Sequence, residues 1–482
     1  MTSSQRSGQY DAVIIGAGPN GLSAGIVLAA AGARTLILER NATVGGGSRT
    51  AELTGPGYLH DVCSAIHPMA AGSPFFQRLP LNRFGLEWVQ PDIPAAHPLD
   101  DGTAVALYRS VEETAANTGV DRRAYLDLMN PFVDRADVIF RLLLGPARPR
   151  PAMLPLARFG LYSLLPAKLL PGWRFKGERA RALFAGMSAH SFLSLDQPGT
   201  SGFGLSLMLA GHAFGWPFPK GGSLAIVDAL AGYFQSLGGE IATNSEVRDI
   251  AERPGARAYI FDTTPRQLLA IAGDRLGGLY RRQIERYRYG PGVFKLDYAL
   301  SEPIPWTAEA CRLAGTVHLG GTFEDVAAGE RAVVAGHHPA RPFVLVGQQS
   351  LFDPTRAPGG RHTAWVYCHT PSGSTVDLTG TIERQIERFA PGFTSTVIAR
   401  HVATTRDVEQ YNPNYIGGDI SAGSNHLTQI LARPAVRWDP YSTPDPQIVL
   451  CSASTPPGGG VHGMAGYHAA RSVLRRLHKT GG

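Results

Sequence analysis

The chain has 482 residues, 44% of them hydrophobic and 17% charged, with a formal net charge of +6. The hydrophobic share is that of a globular protein, and Gly 57 with Pro 36 stays below the ~25–30% that marks low-complexity chains. These figures exclude a disordered, collagen-like or coiled-coil chain, and the basic residues are scattered rather than gathered into a nucleic-acid tail; the mild positive excess fits an acidic surface such as lipid headgroups.

The first ten residues are polar and no apolar signal-type core follows them, so a cytoplasmic protein is expected. The apolar stretch 12–33 is broken by Gly16, Gly18, Pro19, Asn20 and Gly21. It reads as strand, turn and helix rather than as a membrane span.

Asp11-Ala-Val-Ile-Ile15 is a short apolar run suited to a strand buried on both faces. It enters Gly16-Ala-Gly18-Pro19-Asn20-Gly21, a GxGxxG turn, and residues 22–32 then form a small-residue helix. Thr35-Leu-Ile-Leu38 is a second strand and ends at Glu39-Arg40. In such a unit Gly16 allows the tight turn, Gly18 lets backbone approach a pyrophosphate, and Gly21 lets helix and strand pack closely. The helix N-terminus offers N–H groups to the phosphates, and Glu39 accepts from the ribose hydroxyls while disfavouring a 2′-phosphate. Shortly beyond comes a glycine run, Gly45-Gly46-Gly47-Ser48-Arg49.

The far end repeats the geometry. Gln447-Ile-Val-Leu-Cys451 reads as a buried strand, 452–460 as a Pro/Gly-rich turn, and Val461-His462-Gly-Met-Ala465 as the opening of a helix to about 477. Arg471, Arg475 and Arg476 near the end of that helix suit its dipole. In the middle, Pro219-Lys-Gly-Gly-Ser223 starts a helix through Leu237. It is followed by 240–243, by 245–250 and by a strand at 258–261.

Cys63, Cys311, Cys368 and Cys451 form no CxxC pair, so reduced thiols are expected. No metal-ligand cluster is present. The adjacent His337-His338 reads as a solvated loop, and neither a GxSxG nor a phosphate-binding P-loop occurs. A second GxGxxG is also missing. Residues 138–177 mix Leu, Phe and Trp with Arg and Lys, as either a greasy tunnel whose mouth rests on a membrane or a helical lid.

Taken with Gly57-Tyr-Leu-His-Asp-Val-Cys-Ser-Ala-Ile-His-Pro68, Phe218-Pro-Lys-Gly-Gly-Ser223, Tyr411-Asn-Pro-Asn-Tyr-Ile-Gly-Gly-Asp419 and Thr455-Pro-Pro-Gly-Gly-Gly-Val461, these motifs resemble the carotenoid (phytoene) desaturase-type FAD-dependent oxidoreductases. The resemblance is strongest to a NAD(P)/FAD-dependent branch that includes a mammalian pyridine nucleotide-disulphide oxidoreductase domain protein. It implies an α/β fold: a Rossmann-type FAD domain with a parallel sheet and helices, plus a mixed α+β substrate domain, as in amine oxidases and desaturases. The FAD domain would comprise 1–100, 216–275 and 435–482, and the substrate or lid domain 101–215 and 276–434.

The resemblance further implies non-covalent FAD, held by Gly16, Gly18, Pro19, Asn20, Gly21, Glu39, Arg40, Gly46, Gly47, Ser48, Arg49, Val247, Gly459, Gly460 and Val461. Val247 would meet the adenine through its backbone, and Arg49 would offset phosphate charge. His67 and His462 are the candidate catalytic residues, because they alone near the ring titrate close to neutrality. His60 and Asp61 sit in the same segment as His67 and fit a structural role as well as a catalytic one. The implied reaction is hydride removal from a lipophilic small molecule, with oxygen or a quinone as acceptor. An amine or natural-product oxidase, a redox-neutral flavin isomerase and a non-enzymatic flavin-binding protein are the alternatives. The expected partners are the substrate and a membrane surface, with no nucleic acid and no metal; the sequence assigns no oligomeric state.

Overall fold

The computed structural model describes residues 10–146 and 156–479. Two sheets organise it. The first has five parallel strands in the order Ile448–Leu450, Ala256–Phe261, Tyr10–Ile15, Thr35–Leu38 and Glu240–Ala242. Its strands are apolar because helices cover both faces: every residue of the inner strand Thr35–Leu38, and even of the edge strand Ile448–Leu450, is buried. The helix Pro19–Ala30 packs on this sheet, and the helix Met464–Lys479 packs on Pro19–Ala30. The second contact is backbone-close, since a Cβ on Gly466 would stand 1.9 Å from the Asn20 carbonyl oxygen.

The second sheet has seven strands in the order Val397–Ala403, Gly292–Leu300, His362–Thr370, Val344–Gly347, Ala314–Leu319, Ile93–Pro98 and Ala104–Leu107. All pairs are antiparallel except Ala314–Leu319 with Ile93–Pro98. Its outer edge, Val397–Ala403, alternates exposed and half-buried residues, as a strand with one free face does.

The chain crosses between the sheets at places other than those expected. It enters the second sheet at Ile93, ahead of residue 100. It stays with the first past residue 275, because Leu276, Tyr280 and Ile284 pack in one cluster with Val13, Ile15 and Phe261. It returns to the second sheet at Gly292. The C-terminal helix begins at Met464, later than Val461, so Val461 and His462 lie in the turn that precedes it. Residues 245–249 form no strand.

The basic, apolar stretch contributes the helices Ala157–Leu164 and Leu169–Arg174, with Val138 on the helix Ala136–Leu143; residues 147–155 lie outside the described part. The helix Ala157–Leu164 packs against the long helix Thr200–Phe214. All four cysteines are unpaired. His337 and His338 are exposed, and no metal-holding group occurs among the described residues.

Candidate dinucleotide and substrate site

A cavity of about 1320 Å³ runs between the two sheets. It is lined by Gly16, Gly18, Pro19, Asn20, Glu39, Arg40, Gly46, Gly47, Ser48, Arg49, His67, Val247, Gly459, Gly460, Val461 and His462. Gly21 alone of the expected set stays out of the lining. A Cβ there would stand 2.1 Å from the Gly16 carbonyl oxygen, which makes Gly21 a packing position.

The wall has the parts of a dinucleotide-binding turn: a glycine turn, a helix N-terminus and an acid at a strand end. The helix Pro19–Ala30 starts at Gly18, which has no side chain to cap it, and Gly18, Pro19 and Asn20 at its N-terminus line the cavity. Asn20 is buried beside it, and its Oδ1 finds no partner among the described residues. Glu39 sits at the end of its strand, 5% exposed. One carboxylate oxygen accepts the Ala17 N–H at 3.0 Å and the other accepts Asn41 N–H at 2.9 Å, leaving lone pairs for ribose hydroxyls. Arg49 lines the cavity and also braces its own loop. Its guanidinium donates to the carbonyls of Thr43, Val44 and Gly46 and faces Glu39 at 3.6 Å, so it holds the glycine run in shape. That run is pressed against a tyrosine: a Cβ on Gly47 would lie 2.0 Å from the Tyr415 hydroxyl.

The two candidate histidines both face the cavity, and hydrogen bonding sets their tautomers. Ser223 donates its hydroxyl hydrogen to the Ser64 carbonyl at 2.6 Å, so at 2.9 Å it accepts from His67 Nε2. The lone pair of His67 is therefore on Nδ1. His462 Nδ1 accepts the Met464 N–H at 3.1 Å, which puts its hydrogen on Nε2. Burial pulls both imidazoles down to about 4, so both are neutral at pH 7. One is an acceptor and the other a donor.

Other residues at the site escaped the sequence reading. Asp262 follows the strand Ala256–Phe261, lines the cavity and accepts the Gly21 N–H at 2.8 Å. Its place was legible in principle, because ligands bind beyond the carboxyl ends of parallel strands. Arg433 is a buried cation in the wall, donating to the carbonyls of Gly423, Ser424 and Ala453. Trp365 and Tyr367 project from the second sheet and pack edge to face, centroids 5.1 Å apart.

Beyond the dinucleotide loops the cavity becomes apolar. Ile139, Leu142, Leu143, Phe159, Phe203 and Leu207 wall it, and it reaches Leu164 and Leu431, both of which are also exposed to solvent. The mouth therefore lies between the helices Ala157–Leu164 and Leu427–Ala432.

Residues 14–79 match the family described as NAD(P)-binding Rossmann-like domain. Over almost its full length the chain is similar to pyridine nucleotide-disulfide oxidoreductase domain-containing protein 2 of Mus musculus, at 27% identity over 97% of this chain and 94% of that protein. It is similar to one component of the limonene dehydrogenase of Castellaniella defragrans at 24% identity, over 97% of this chain and 95% of that protein. Among solved structures, cyclohexylamine oxidase from Brevibacterium oxydans shares the fold with a TM-score of 0.60 at 15% identity, covering 98% of this chain and 100% of that chain. The chain shares the fold of the amine oxidases, a Rossmann-like dinucleotide domain beside a mixed-sheet domain, and it is an oxidoreductase.

Proposed function

We propose that the chain binds FAD without a covalent link and removes hydride from a lipophilic organic substrate, with oxygen or a quinone as the final acceptor. The observation that carries this reading is the continuity of the cavity. The loops fit for a dinucleotide and the apolar chamber are one space, whose mouth is rimmed by the exposed Leu164 and Leu431.

FAD supplies the two-electron acceptor. The residues around it have separable tasks. Glu39 and Asn20 bind the ribose and phosphate end, and the glycine run beneath Tyr415 lets backbone lie against the cofactor. The chamber walls exclude water and hold an apolar skeleton. His67, with its lone pair on Nδ1, is the group placed to receive a proton lost beside the oxidised carbon. His462, with its hydrogen on Nε2, is placed to donate to a carbonyl oxygen.

The same reading puts the mouth on a membrane surface. Leu161, Leu164, Leu169 and Trp173 are exposed on the helices at and beside the mouth, amid Arg158, Lys168 and Arg174. No helix among the described residues is long and apolar enough to cross a membrane. A second reading, oxidation of an amine, is favoured by the Trp365–Tyr367 aromatic pair at the cavity wall.

Anaerobic bleaching of the flavin tests both. Fast bleaching by a lipophilic alkene and none by NADH or NADPH is the expected result. Bleaching only by amines would select the second reading. Rapid bleaching by NADPH at ordinary turnover rates (~10 s⁻¹) would overturn both. Acid precipitation should release all yellow colour; flavin left in the pellet would refute non-covalent binding.

A further inference from the structure

Two carboxyl groups flank one glycine loop. Glu39 takes the Ala17 N–H on one side, and on the other Asp262 Oδ2 takes the Gly21 N–H at 2.8 Å. Asp262 Oδ2 also lies 2.7 Å from the point where a Gly18 Cβ would stand. It therefore occupies the space over the second glycine of the turn, at the N-terminus of the helix Pro19–Ala30. This is where a dinucleotide brings its pyrophosphate. A carboxylate in that place would oppose the phosphates at close range. A carboxylic acid would instead be a hydrogen-bond donor.

Building on the FAD reading above, we propose that Asp262 binds the dinucleotide as a neutral acid. Its Oδ2 keeps the Gly21 N–H, and its protonated oxygen donates to an anionic phosphate oxygen. Loading FAD onto the ionised form then takes one proton from solvent, with no other bond made or broken.

The surroundings favour this protonation. Burial pushes the Asp262 carboxyl up to about 7, and the nearby charge of Glu39 acts in the same direction, against the N–H bonds from Gly21 and Gly18. Facing it from the neighbouring strand end is the Cys451 thiol, itself held well above its usual range by burial and so uncharged. The Arg49 guanidinium faces Glu39 and the carbonyls of its own loop.

The test is a calorimetric titration of the flavin-freed full chain with FAD, between pH 6 and 9, in phosphate and in Tris. Comparing the two buffers counts the protons taken up. The dissociation constant should be flat below about pH 7 and rise about tenfold per pH unit above it, with uptake approaching one proton at pH 8–9. Asp262→Asn keeps an acceptor for the Gly21 N–H and cannot ionise. Its FAD affinity should not change with pH, and its proton uptake should vanish. Wild-type binding with no proton uptake at pH 8–9 would overturn the proposal, as would an unchanged pH slope in the Asn variant. If that variant does not fold, the wild-type proton count decides alone. A wild-type chain that takes up no FAD at any pH would instead overturn the functional reading itself.

Discussion

Arg356 Nη1 donates to Asp61 Oδ2 at 2.9 Å, with both side chains shut off from solvent. Asp61 ends the short strand Leu59–Asp61, and Arg356 ends the turn Pro354–Arg356, which follows the second sheet's strand Val344–Gly347. The same guanidinium donates to Asp353 Oδ2 and to the Pro219 carbonyl. Asp61 Oδ1 also accepts the Ser223 N–H at 2.6 Å, and Asp353 accepts the Gly221 N–H. This network clamps the Pro219-Lys-Gly-Gly-Ser223 segment, and so it fixes the serine that orients His67. Removing Asp61 takes one of two carboxylates from a buried guanidinium and leaves the Ser223 N–H without its acceptor. Asp61→Ala should therefore cost about 3 kcal/mol in chemical denaturation, and adding Arg356→Met should deepen the loss, because Asp353 then loses its buried cation. Equal stability of Asp61→Ala and wild type would show that this pair does not hold the segment.

What could be read in the sequence was local. The strand Thr35–Leu38 and its terminal Glu39 follow from an apolar run and one acid, and the strand Tyr10–Ile15 departs from the expected limits by a single residue. Asp61 fits a structural or a catalytic role on sequence alone, and only the arrival of Arg356 from far along the chain decides for structure. Asp262 is separated from Gly21 by 241 positions, so nothing local links them. The domain crossings misled for the same reason. Leu276, Tyr280 and Ile284 form an ordinary helical stripe, and tertiary packing alone assigns them to the first sheet.

The Gly16–Gly21 turn, which the FAD reading assigns to the pyrophosphate, is sterically full. Gly18→Val would drive its side chain into Asp262 as well as into the phosphate space, and flavin retention on gel filtration should be lost. Glu39→Ala should retain flavin more weakly, by ~1–3 kcal/mol, since it loses hydrogen bonds to a charged acceptor. Full retention by the valine variant would remove this turn from the cofactor site.

Acid should weaken the fold. Burial holds the imidazoles of His67, His97, His212 and His462 down to about 4, and that of His190 down to about 3. An unfolded histidine titrates near ~6.5. Between those values the unfolded chain binds more protons than the folded one, so stability is full above about pH 6.5 and falls as pH drops toward 4. Asp262 acts with the opposite sign. Its raised folded value makes the flavin-free protein lose stability as pH rises toward about 7, and Asp262→Asn should remove that loss. Melting temperatures of the two proteins from pH 4.5 to 8, at constant ionic strength, separate the two arms. A wild-type melting temperature that does not fall between pH 7 and 4.5 would rule out the histidine effect.

The mouth of the cavity should meet lipid. Trp173 is 76% exposed and Leu161 62% exposed, on helices that also carry Arg158 and Arg174, with Lys168 between them. An apolar group set among cations suits the boundary between headgroups and acyl chains, where the ring inserts and the charges meet anionic lipid. Flotation with vesicles containing phosphatidylserine should carry the protein upward at low salt. Exposed charge is screened over ~8–10 Å at physiological salt, so binding should weaken as salt rises. Leu161→Ser with Trp173→Ser should abolish flotation and leave flavin content unchanged, because neither side chain lines the cavity. If the wild type stays at the bottom of the gradient at low salt, these helices are a lid over the chamber and lipophilic substrate enters from water.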